Sequence, residues 1–165
     1  MSDSPVDEDV YALLRSLARR IHAERGGGRH SLQPTELLHE AWARIADGRA
    51  RYRSREHFVA LAARAMRHVL VDRARARLAD KRGGGAVPTT LRAVGVSDDP
   101  VDLLAVDQAL TELEANDARA AEVVQLRVFG GLTVEEVAAH LGLGERTVYD
   151  SWRFGRAFLV LRLGA

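Results

Sequence analysis

Hydrophobic positions recur with a helical period over most of the chain. Val10, Leu13, Leu14, Leu17, Ala18 and Ile21 form one stripe across residues 6–24, flanked by Arg15, Arg19 and Arg20, the pattern of an amphipathic helix. Gly26, Gly27 and Gly28 end it. Residues 35–46 repeat the pattern with Leu37, Leu38, Ala41 and Ile45. Pro34 stands at the start, where its missing amide costs nothing, and Gly48 lies just past the end. Glu36, His39 and Glu40 fall on the opposite side. The longest pattern covers residues 54–82, with Ser54 as a plausible N-cap and no Pro or Gly before Gly83. At about 1.5 Å per residue such a helix spans roughly 40 Å. Phe58, Leu61, Ala62, Ala65 and Val69 make its expected buried stripe, and Arg64, Arg67, His68 and Arg75 its far side.

The period then lapses. Residues 83–100 are rich in Gly, Thr, Ser and Pro and read as a flexible linker. Beyond it Leu103, Leu104, Val106, Leu110 and Leu113 predict a helix over 101–115. Asn116 or Asp117 caps another that runs to Phe129 and is closed by Gly130 and Gly131. Thr133 and Glu136 form a Thr-x-x-Glu capping box, and Val134, Val137, Ala138 and Leu141 follow as one stripe. Gly142 and Gly144 supply the positive φ of a sharp exit. A last helix places Val148, Trp152, Gly155 and Leu159 on one face. Arg146, Tyr149, Asp150 and Arg153 point the other way, with Thr147 near the N-terminus. Helix, short turn and a second helix with a polar outer face make a helix-turn-helix, which sets its second helix in the DNA major groove. An αα-hairpin inside an ordinary bundle fits the same pattern. With no strand pair, internal repeat or heptad run, the expected fold is all-α: a three-helix unit over 1–82, a linker over 83–100 and a four-helix unit over 101–165.

Charge sharpens this division. The net charge of +1 conceals 17 Lys and Arg against 11 Asp and Glu up to Arg82, and 7 against 12 beyond it. A basic first half suits phosphate contact, whereas the second half is a poor stand-alone DNA binder. Residues 49–55, with four arginines around Tyr52, read as a basic loop. Cations for a backbone and one ring for base stacking are what a single-stranded nucleic-acid surface needs; a solvated charged loop is the plain alternative.

The chain has no cysteine, which removes disulfides, thiolate metal sites and a cysteine nucleophile. The first ten residues are acidic and lack an apolar core, and no apolar run approaches the ~20 residues of a membrane span. A soluble cytoplasmic protein is expected. Glu36, His39 and Glu40 place an imidazole and carboxylates about one turn apart without a second histidine, and the glycine triplets follow helices and precede no Lys-Ser/Thr. No catalytic residue, metal site or cofactor is expected.

The order of these features, more than any one of them, resembles the bacterial sigma factors of the extracytoplasmic-function group. The carrying stretches are TELLHEAWARI, the basic loop, HFVALAARAMRHVLVDRARARLADKRGGG, LLAVDQALTEL and AEVVQLRVFGGLTVEEVAAHLGLGERTVYDSWRFGRAFL. The resemblance spans residues 11–163 and is similar to the branch whose long helix reads A-R-A-M-R-x-x-L-V-D. It implies a non-enzymatic subunit that binds core RNA polymerase through the β′ clamp helices and the β flap and directs it to promoter DNA. An anti-sigma factor is a further implied partner. Glu36, His39 and Glu40 take the core-binding role by this resemblance. Tyr52, Arg53, Arg55, Arg64, Arg67, His68 and, more loosely, Arg75 take recognition and melting of the −10 element. Arg146, Thr147, Tyr149 and Arg153 take the −35 element. Apart from the resemblance, two other classes fit: a stand-alone helix-turn-helix regulator with an N-terminal sensor or dimerisation module, and, more remotely, a metal-dependent hydrolase built around His39.

Overall fold

The computed structural model describes residues 34–47, 54–79 and 100–164. Among them are six helices and no strand, so the fold is all-α. The expected helix over 6–24, the basic loop with Tyr52 and Arg53, and the linker over 83–99 lie outside the described residues.

Helix α1 (Pro34–Asp47) starts on its proline, carries Glu36 in its first turn and Arg44 in its last, and so complements its own dipole at both ends. Leu37, Leu38, Ala41 and Ile45 are buried as expected, with Trp42 packed beside them. This face lies on α2 (Arg55–Ala79). Ser54 caps α2 by accepting from the His57 amide at 3.2 Å.

A single apolar stripe does not describe α2. Phe58, Ala62, Ala65 and Val69 are buried, but so are Val59, Ala63, Met66, Leu70, Val71 and Ala74, while Leu61 is only half-buried. The cause is a second neighbour. Helix α3 (Pro100–Asn116) packs along the side of α2 that α1 leaves open, and alanines at 62, 63, 65 and 74 let helices approach on more than one side.

Helix α3 is the hub of the described fold, touching α2, α4 (Ala118–Val128) and α6 (Glu145–Leu163). Leu103, Val106, Ala109, Leu110 and Leu113 supply its buried side. One residue separates α3 from α4: Asp117, in extended conformation, accepts from the Ala120 amide at 2.9 Å while its own amide donates to the Leu113 carbonyl at 2.7 Å. Asp117, rather than Asn116, is therefore the cap. Gly131, at φ 64°, takes the chain out of α4.

Helix α5 (Val134–Leu141) begins on the expected capping box: Thr133 Oγ1 accepts from the Glu136 amide at 3.2 Å, and Glu136 Oε2 accepts from the Thr133 amide at 2.8 Å. Of the two glycines after it, only Gly142 is left-handed, at φ 64°. Gly144 is extended, at φ −70° and ψ 144°, because it already serves as the N-cap residue of α6. In α6 the buried positions are Val148, Ser151, Gly155 and Leu159. Trp152 is half-buried at the edge of this face rather than at its centre, with the Arg127 guanidinium 4.6 Å from its ring centroid. The buried side chains from Leu37 to Leu159 belong to one continuous cluster. No helix among the described residues is long and apolar enough to cross a membrane.

Candidate nucleic-acid interface

Three surfaces carry the residues singled out from the sequence. The first is the outer side of α2. Arg55 is exposed in its first turn, where the helix amides and the Ser54 hydroxyl hold the neighbouring Glu56 carboxyl below the usual carboxylate range. Further along, Arg64, His68 and Arg75 are exposed on the rim of an open cleft of about 370 Å³ between α2 and α3. The opposite wall carries Asp107, Thr111 and Glu114. Arg64 lies 3.8 Å from Glu114, and Arg75 lies 3.4 Å from Asp72 and 3.8 Å from Asp107. Partial burial pushes the His68 imidazole below its ordinary value; Arg67 adds to the shift and Asp107 opposes it.

Arg67 does not lie on the far side of α2, where the period of the sequence puts it. The residue is 7% exposed. Its Nε donates to Asp107 Oδ1 at 2.7 Å, one terminal nitrogen donates to Gln125 Oε1 at 3.1 Å, and the other donates to the Asp107 carbonyl at 2.9 Å and to Thr111 Oγ1 at 3.1 Å. The planar guanidinium is thus satisfied in several directions by α3 and α4, a geometry that suits Arg and would not suit Lys. Periodicity reports which faces are apolar, and it is blind to a cation whose partners arrive from 40 to 58 positions away. Asp107, Thr111 and Gln125 were missed for the same reason. The available signal was Asp107 and Thr111 one turn apart on a neighbouring helix, an acceptor pair facing an arginine.

The second surface is the outer face of α6. Arg146, Tyr149, Asp150 and Arg153 are exposed along it, Tyr149 by 52%, and Thr147 is half-buried in the first turn. Helix α5, the Gly142 corner and α6 make the helix-turn-helix arrangement, with α5 and α4 both packed against α6. Close approach of α4 is possible because residue 155 is glycine: a Cβ there would stand 2.5 Å from Val124 Cγ2. Arg162 anchors the far end of α6 to α3 through Glu112 at 3.2 Å.

The third surface is the outer side of α1. Glu36 and His39 are exposed on it. Glu40 is half-buried instead, its carboxylate taken by Arg73 of α2 through both the terminal nitrogen and Nε, the latter at 3.3 Å. This hydrogen bond holds the Arg73 guanidinium still more firmly in its charged form. Arg44 and Asp72, 2.8 Å apart, tie the same two helices a turn away. Among the described residues no three His, Asp or Glu side chains converge in a way that would hold a metal ion, and His39 belongs to no such group.

The described residues expected to serve the −10 element, the −35 element and core binding therefore fall on three separate surfaces, with Arg67 withdrawn into a helix contact. Comparison of the chain with curated proteins and with solved structures finds no match. The family model of the ECF sigma factors matches residues 6–163, nearly the whole length. The chain belongs to that family: it is a bacterial sigma factor of transcription initiation, whose partners are core RNA polymerase and promoter DNA.

Proposed function

We propose that the two halves of the chain divide promoter recognition between unpaired and paired DNA. In this reading the basic loop and the outer side of α2 capture the separated −10 strand. Tyr52 offers a stacking platform, and Arg53, Arg55, Arg64, His68 and Arg75 line the backbone path, with Arg67 joining them once its internal contacts are released. Unstacked bases are held by such a combination with little demand on sequence, because every base presents a π-face.

Helix α6 reads the −35 duplex in the major groove. Arg146 and Arg153 suit the paired acceptors of guanine, Tyr149 and Thr147 suit backbone or base-edge contact, and Asp150 accepts from the cytosine amino group. Glu36 and His39, with Glu40 set behind them, dock α1 on the β′ clamp helices, and the four-helix half meets the β flap. The chain carries no catalytic chemistry of its own. Polymerase holds both halves, so each weak DNA contact raises the effective concentration of the other, and the net negative charge of the C-terminal half is tolerable on that account. An anti-sigma factor would act by covering these same surfaces.

The observation that carries the reading is the pairing, in one family-matched chain, of a cationic helix side with a polar-faced reading helix behind a tight left-handed corner. Run-off transcription with core polymerase tests it. The expected result is promoter-dependent initiation that needs both polymerase and this chain. Specific duplex binding by the chain alone, with no retention on core polymerase, would overturn it.

A further inference from the structure

We propose that Asp72 is a positioning residue for capture of the −10 strand: one carboxylate oxygen holds Arg75 to the nucleic-acid rim of α2 while Arg44 of α1 neutralises the other. The inference rests on the promoter-binding reading of α2 given above, and it gives Arg44 a part in that surface from a helix read only as a docking element.

Two ion pairs close the seam between α1 and α2, and they run in opposite senses. Glu40 of α1 takes Arg73 of α2, whereas Arg44 of α1 donates to Asp72 Oδ2 at 2.8 Å. The second pair sets a carboxylate among the cations that border the cleft, beside His68 and Arg75. The charges of Arg44 and Asp72 both reach the His68 imidazole, with opposite effect, so the pair stands on the cleft side of the seam. An isolated carboxylate there would repel a phosphate backbone. With Arg44 against one oxygen it presents little net charge to a strand. The other oxygen accepts from a terminal nitrogen of Arg75, one turn further along α2, at 3.4 Å. Across the cleft Asp107 stands 3.8 Å from Arg75, beyond hydrogen-bond reach.

Stability does not account for the arrangement. The Arg44, Asp72 and Arg75 side chains are 41%, 49% and 62% exposed, and ion pairs so open to water contribute little. Helix α1 is already fixed on α2 by Leu37, Leu38, Ala41 and Ile45 and by the Glu40 pair. What Asp72 supplies is order. An arginine that must be immobilised to grip a phosphate gives up the rotamer freedom of a long side chain, and Arg75 has given up part of it in advance. Asp72 engages one nitrogen of a five-donor fork, so the fork keeps donors for the strand.

The test uses holoenzyme assembled from core polymerase and the full-length chain, titrated at fixed salt with a short fluorescent single strand of mixed sequence and read against core polymerase alone. Arg75→Ala should weaken strand binding roughly tenfold, as loss of a charge-assisted hydrogen bond does. Asp72→Asn and Arg44→Gln should each weaken it by about two- to fivefold, the range of an exposed charge pair. Retention on core polymerase and the thermal midpoint should barely move. Asp72→Asn should have no effect once residue 75 is alanine, and Arg44→Gln none once residue 72 is asparagine. Asp72→Glu, which keeps the carboxylate, should recover most of the affinity. A bridge that merely joins the helices would instead lower the midpoint and weaken binding equally with and without Arg75, and that result would overturn the positioning role. So would an Arg75→Ala or Asp72→Asn holoenzyme that binds the strand as well as the wild type does; there the promoter reading stands. If wild-type holoenzyme holds the strand no better than core polymerase alone, the reading of α2 and this inference fall together.

Discussion

Gly155 of α6 and Val124 of α4 approach so closely that a methyl group on residue 155 would overlap the Val124 side chain. Gly155→Ala should therefore cost about 1–3 kcal/mol, as overpacking in a dense core does, even though alanine is the better helix former. A lowered thermal midpoint checks it. Val124→Ala in the same chain should restore much of the loss, and a stabilised Gly155→Ala would show that the helices separate freely.

Trp152 gives a smaller effect than a core tryptophan. Part of its surface is open and one side is covered by Arg127, so Trp152→Ala should cost about 2 kcal/mol rather than the larger loss of a fully enclosed ring. Chemical denaturation of the wild type, Trp152→Ala, Arg127→Ala and the double variant would isolate the stacking contribution, expected at about 0.5–1 kcal/mol.

Acid should loosen the fold before it protonates most carboxylates. Burial holds the His140 imidazole below its ordinary value, with Glu122 and Glu56 opposing the shift. In the folded state the group stays neutral to a lower pH than in the unfolded chain. The unfolded state therefore binds more protons in that window, and stability is full above about pH 6.5 and falls as pH drops below it toward the lowered folded value. The thermal midpoint should decline from neutral pH to about pH 5.5. His140→Gln should flatten the decline, leaving a remainder from His68, whose imidazole is also held low.

On α1 the two glutamates should separate structure from docking. Glu40→Gln weakens the link to Arg73 and should lower the thermal midpoint slightly, with a coupling to Arg73→Gln of at most about 1 kcal/mol, as for other solvent-accessible ion pairs. Glu36→Lys, at the exposed first turn, should lower the midpoint only slightly, by the roughly 0.3–1 kcal/mol of a charge at a helix N-terminus, and weaken retention on core polymerase much more. Titration of labelled chain with core polymerase, alongside the melting curves, checks both arms.

Arg153→Ala should weaken recognition of the −35 duplex by about 1–3 kcal/mol without altering the fold, because the side chain is exposed. A run-off template whose −35 element is scrambled supplies the check: there, wild type and variant should initiate equally.

What the sequence made legible was local. The Ser54 and Asp117 caps, the Thr133–Glu136 box and the proline start of α1 each join residues within three or four positions, and each stands in the structure. Gly144 departs from its expected geometry because a residue cannot close one corner in the left-handed region and also open the next helix as an extended cap. The displacement of Trp152 by Ser151 is a shift of one position in helix phase, set by where α3 and α4 lie and not by α6 itself. Arg67 is the clearest limit. Its environment is made by α3 and α4, and a single period read along α2 has no access to them. Of the described surface residues, those on the outer face of α6 were the easiest to read, because an exposed polar face needs no partner to define it.

The single residue between α3 and α4 has a mechanical consequence. With Asp117 holding that elbow from both sides, α3 and α4 are braced against each other, and α6 packs on both. A helix of seventeen residues is a lever of about 25 Å, so a tilt of a few degrees at one of its ends moves the other by ångströms.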